Sequence, residues 1–85
     1  MSERDWAREV LPHLLGLLTH SSKHTRRMAV GKIDIWVRWS GTSRETVCKA
    51  LSLEHICRPM AQETDAEVLW RYRYLIGHYL EVQDS

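Results

Sequence analysis

Apolar side chains recur along most of this chain at spacings of three and four residues, the period of a helix that buries one face. Trp6, Val10, Leu14, Leu17 and Leu18 share one side of a first helix that opens at Ser2, where Ser2 and Asp5 supply capping oxygens. Pro12 interrupts it, because proline removes a backbone donor and crowds the preceding turn, so a kink or restart is expected there. Ser21, Ser22 and Lys23 read as a connecting loop. Near the other end, Thr64-Asp-Ala-Glu67 has the form of a capping box, with Pro59 as a stop just upstream. Val68, Tyr72, Leu75, Ile76 and Tyr79 then fall on one stripe. That stripe is wide and aromatic. It is assigned mainly to the core, with Trp70, Tyr72 and Tyr79 as candidate anchors for a partner or a second copy.

Residues 29 to 39 carry two patterns at once. Ile33, Ile35, Val37 and Trp39 alternate with Lys32, Asp34, Trp36 and Arg38, as in a strand, whereas Ile33, Trp36 and Val37 lie at helical spacing. The helix is preferred because the next residues form a glycine turn and a capped helix, which a preceding helix suits. The expected fold is therefore all-α, one small bundle of four to five helices with a helix-turn-helix-like unit, and the alternative is α+β with a strand over residues 29 to 39.

That turn and capped helix are Gly41-Thr-Ser-Arg-Glu-Thr-Val-Cys-Lys-Ala-Leu51. Gly41 suits a sharp turn at positive φ, and Thr42 with Glu45 reads as a second capping box. Val47, Ala50 and Leu51 would face inward, leaving Ser43, Arg44, Cys48 and Lys49 outside. A short helix with an outward face of Arg, Lys and Ser has the donors that base edges and phosphates accept. The stretch resembles the helix-turn-helix of bacterial transcription regulators of the catabolite-activator and lactose-repressor type, through Gly41, Ser43, Arg44, Thr46, Val47 and Lys49. It departs from them at Val37, where they carry a small residue, and at Ser40 and Thr42, where they carry apolar ones. The resemblance implies that Arg44, Glu45 and Lys49 face bases or phosphates, and that Ser43 and Thr46 contact phosphate or cap the helix.

Charge adds weight to that segment. The 85 residues carry a formal net charge of +1, yet Lys23, Arg26, Arg27, Lys32, Arg38, Arg44, Lys49 and Arg58 crowd the middle, while both ends are acidic. A basic segment inside a near-neutral chain points to a local anionic partner. Lys23, Arg26, Arg27 and Lys32 are expected to line a DNA backbone beside the groove that Arg44 and Lys49 enter, in a reader that acts as a homodimer.

The remaining chemistry narrows the options. Composition is that of a globular domain, 44% apolar and 27% charged. Phe is absent, so four Trp and three Tyr supply the aromatic bulk. No apolar run reaches the ~20 residues of a membrane span, and the opening residues lack the form of a secretory signal, so a cytoplasmic protein with Cys48 and Cys57 reduced is expected. His20 with His24, and His55 with Cys57, lack the further ligands a metal site needs, and Gly16, Gly31, Gly41 and Gly77 form no phosphate loop. No metal, cofactor or nucleophilic catalytic site is expected, and a zinc or thiol enzyme is set aside. The leading expectation is a small, non-enzymatic DNA-binding regulator. The alternative is a protein-binding module, an inhibitor or adaptor of the kind phages and mobile elements encode, anchored on a host protein through Trp, Tyr and Arg side chains.

Overall fold

Two long helices, one from the middle of the chain and one at its end, lie side by side and carry the rest of the molecule. The computed structural model describes residues 3–39 and 43–84. In them the chain forms α1 (Glu3–Glu9), α2 (Leu11–Leu17), α3 (Lys23–Trp39), α4 (Arg44–Ala50), α5 (Leu53–Gln62) and α6 (Ala66–Asp84). Only Val10 separates α1 from α2. The Val10 amide still donates to the Trp6 carbonyl at 2.8 Å, and the Leu14 amide to the Val10 carbonyl at 3.0 Å. Pro12 occupies the first turn of α2, where a missing amide hydrogen breaks no helical bond. With α1 and α2 taken as one broken helix, the architecture is the small all-α bundle expected, and no strand occurs among the described residues.

The segment with two patterns is helical throughout. Ile33, Trp36 and Val37 are buried, whereas Ile35, which a strand would have placed beside Ile33, is 55% exposed. Burial follows the period of 3.6 because α3 packs one face along α6. The two run parallel: Arg27 pairs with Glu67, the Arg71 guanidinium lies over Gly31, and Asp34 meets His78 at 2.7 Å. Val30 and Ile33 of α3 share a core with Tyr72 and Leu75 of α6, closed by Leu11 and Leu14 of α2 and by Val47, Leu51 and Ile56. Each fully buried aliphatic side chain here contributes roughly 1.5–3 kcal/mol. The Trp6 ring stacks on Trp36 with centroids 5.0 Å apart, which seats α1 over the C-terminal half of α3.

Several local expectations shift. The last helix is capped by Asp65 rather than Thr64: Asp65 Oδ2 accepts the Val68 amide at 3.0 Å, and Glu67 instead bonds Arg27. Pro59 does not stop a helix but lies inside α5, which runs on to Gln62. A proline at that point forfeits one amide bond, and α5 tolerates it because Ile56 is fully buried and Ser52 and His55 form a complete capping box at its start. The opening residue Ser2 lies outside the described residues.

Candidate nucleic-acid interface

The helix α4 begins one residue later than its sequence indicates. Ser43, in extended backbone, is the N-cap: its Oγ accepts the Thr46 amide at 3.2 Å and lies 2.9 Å from the Thr46 hydroxyl. Thr42, expected as the cap, lies outside the described residues with Ser40 and Gly41. The one-residue shift moves Glu45 to the second helical position, where its carboxylate pairs with Lys49 Nζ at 2.8 Å, one turn on. Val47 and Leu51 are fully buried and Ala50 partly so, which leaves Ser43, Arg44, Glu45 and Lys49 in solvent, whereas Cys48, expected outside, is half-buried.

The tertiary setting of α4 is not readable from its own residues. It packs chiefly on α1 and α6. Its C-terminal end is tied down by Tyr79, whose hydroxyl donates to the Leu51 carbonyl at 2.6 Å. Burial, then the neighbouring Cys48, pushes the Tyr79 phenol above its ordinary range, so it remains a donor. Between α1 and α4 runs an open groove lined by Ala7, Arg8, Ser43, Glu45, Thr46, Lys49 and Ala50. Arg8, bonded to Asp5 at 3.0 Å but three-quarters exposed, therefore joins the α4 face. Sequence reasoning missed it, because no local pattern sets the first helix against the fourth. Ion pairs as exposed as Arg8–Asp5 and Lys49–Glu45 contribute little stability, so a phosphate can displace either carboxylate at small cost.

The rest of the expected footprint is dispersed. Arg26 and Arg27 sit near the start of α3, about 20 Å along the helix axis from Trp39, and both guanidiniums brace helices rather than line the α4 face. Arg26 forks onto Glu63 at 2.8 and 3.1 Å and donates to the His20 and Ser21 carbonyls at 2.8 and 3.0 Å. Arg27 bonds Glu67 at 2.8 Å. Lys32 is exposed, near the middle of α3.

The expected partner anchors divide in the same way. Tyr72 and Tyr79 are core residues, 0% and 2% exposed, and present no ring to a partner, because they lie on the side of α6 that faces α3 and α4. Trp70 is 55% exposed, and Tyr74 and Arg73, which the buried stripe concealed, stand beside it.

Among the described residues no group of three or more His, Cys, Asp or Glu could hold a metal ion, and both cysteines are free. Two of the histidines fasten turns instead: His20 Nδ1 accepts the Ser22 amide at 3.0 Å, and His55 Nδ1 the Ser52 amide at 3.1 Å. No helix among the described residues is long and apolar enough to cross a membrane. Comparison with protein-family models, curated proteins and solved structures finds no match.

Proposed function

We propose that the protein is a small, non-enzymatic DNA-binding regulator that meets the duplex with the outward face of α4 and acts as a pair. The observation that carries this is the placement of Arg44 and Lys49 on one exposed, Ser43-capped helix, with Arg8 of α1 across an open groove. Arg8 and Lys49 flank the groove with its Ser43 and Thr46 hydroxyls, and Arg44 stands outside it beside the cap, a set of donors that suits phosphate oxygens and guanine edges. Residues 29–39 are helical, which this reading requires of the segment before α4, although α4 packs chiefly on α1 and α6 rather than on that helix. The footprint is compact. With Arg8, Arg44 and Lys49 as the phosphate contacts of one protomer, the logarithm of the duplex association constant falls with the logarithm of salt concentration at a slope of about −3 per protomer. The double variant Arg44→Ala, Lys49→Ala is expected to weaken binding at least ~10-fold and to flatten that slope by about 2. Fluorescence anisotropy with a labelled duplex measures both. Absence of duplex binding at about 50 mM salt, or an unchanged slope in the double variant, overturns the proposal.

A second reading, a protein-binding adaptor or inhibitor, is favoured by a different observation: Trp70 and Tyr74 are both more than half exposed beside Arg73, the residue types that dominate binding hot spots. Retention of duplex binding by Trp70→Ala together with its loss in the α4 double variant separates the two.

A further inference from the structure

Packing among the described residues does not explain the composition of the outward side of α6. Trp70 and Tyr74 are 55% and 51% exposed and meet edge to face with centroids 5.6 Å apart. Leaving two large rings in water forgoes much of the hydrophobic stabilisation their burial would supply. Further along the same side comes Gly77, in the interior of a 19-residue helix. Glycine weakens a helix interior relative to alanine, and no intramolecular contact calls for it: a Cβ added at Gly77 meets nothing within 4 Å. A bare backbone on an exposed helix face permits close approach by another helix. The charges on α6 are also polarised. On the outward face Arg73 stands on the N-terminal side of Gly77, and Glu81 and Asp84 on its C-terminal side, all exposed, whereas Glu67 and Arg71 turn toward α3, onto Arg27 and Gly31.

We infer that this face is the interface of a homodimer in which two α6 helices cross antiparallel at Gly77. Antiparallel pairing lays the Trp70, Arg73 and Tyr74 half of each helix on the Glu81 and Asp84 half of the other, twice over. Cation meets carboxylate, and the helix dipoles oppose. A parallel pair would set like charge on like. A foreign partner would have to reproduce this charge gradient in reverse, which a second copy does by symmetry. One helix face of this length buries on the order of 1,000 Å² in total, the low end for a specific interface and the size of weak, reversible encounters.

This deepens the proposal that the regulator acts as a pair, but its observations lie wholly on α6, and it is tested without DNA. Sedimentation velocity of the full chain over about 1–200 μM is expected to show a reversible monomer–dimer equilibrium that weakens with salt. Gly77→Leu, which removes a helix-weakening residue from an exposed site and so preserves folding, is expected to raise the dimer dissociation constant at least ~10-fold by holding the backbones apart. Arg73→Glu is expected to do the same. Mixing it with the variant Glu81→Arg, Asp84→Arg is expected to restore a 1:1 dimer, a rescue that mere misfolding would not give; circular dichroism monitors the fold in each case. A chain that stays monomeric throughout, a dimer indifferent to Gly77→Leu, or a face that instead retains a foreign protein while the chain alone is monomeric overturns the inference. Loss of duplex binding in the α4 variant leaves it standing.

Discussion

Replacing Tyr72 with alanine is expected to lower stability by about 4 kcal/mol, whereas replacing it with phenylalanine is expected to cost nothing or to stabilise. Tyr72 is fully buried at the centre of the α3–α6 contact, so truncation removes a ring and leaves a cavity that helices on both sides cannot close. Its hydroxyl is a different matter. The oxygen is buried and finds no hydrogen-bond partner among the described residues. Burial, reinforced by the nearby Glu63 and partly offset by Arg26, drives its pKa far up, so the phenol is neutral at any ordinary pH. Tyr72→Phe deletes an unsatisfied polar atom and keeps the packing. Tyr79 supplies the control: its hydroxyl is bonded to Leu51, and Tyr79→Phe leaves that carbonyl without its donor, for an expected loss of about 1–2 kcal/mol. Urea unfolding of the three variants reads these differences directly. A Tyr72→Phe protein less stable than Tyr79→Phe would show that the Tyr72 hydroxyl has a role in the core after all.

The second large effect is expected at Glu63, where the α5–α6 connection meets α3. Its side chain is 2% exposed and holds the Arg26 fork while Oε2 accepts the Thr64 and Asp65 amides at 3.1 and 3.0 Å. Glu63→Ala leaves the Arg26 charge without its carboxylate and two amides without their acceptor, while Arg26 keeps its bonds to the His20 and Ser21 carbonyls, for an expected loss of about 3 kcal/mol, or ~15 °C in Tm for a domain of this size. Burial alone would raise the Glu63 pKa. The hydrogen bonds from Arg26 and the two amides, with the Arg26 charge, outweigh burial and hold it below the ordinary carboxylate value of 4.5. A carboxylate depressed on folding stabilises above its unfolded pKa, and that stability drains away as pH falls through the folded one. The wild-type Tm is therefore expected to drop below about pH 4.5, and Glu63→Gln, already uncharged, is expected to show a shallower acid limb. Equal acid limbs in the two proteins would place the acid sensitivity elsewhere.

The first, fourth and last helices were legible in the chain, since burial every three to four residues leaves a local record, whereas α5 was hidden by Pro59, read as a stop, and residues 29–39 carried a strand pattern as well. Val68, Tyr72, Leu75 and Tyr79 form the core stripe that their spacing announces, and Val47 and Leu51 anchor α4 as theirs requires. Element ends were less legible. Ser43 and Asp65 take the caps expected at Thr42 and Thr64, because consecutive Ser, Thr and Asp residues all offer a capping oxygen, and only the path of the incoming chain selects among them.

Most helical segments, and which sides of them are greasy, are thus written in the sequence, because both follow from side-chain period and local hydrogen-bonding chemistry, while packing along α6 decided residues 29–39 in favour of the helix. What each charge faces was decided in three dimensions. Arg26 and Arg27 looked like part of one basic segment with Arg44 and Lys49, but a 17-residue helix carries them to the other end of the molecule and onto Glu63 and Glu67, while the same folding brings Arg8 to α4. Coulomb interactions depend on distance in space, and a rigid rod of that length separates neighbours in sequence by about three Debye lengths at physiological salt. The tertiary packing also exposed Trp70 and Tyr74 by turning the other tyrosines of α6 inward, a choice made by which face α3 covers.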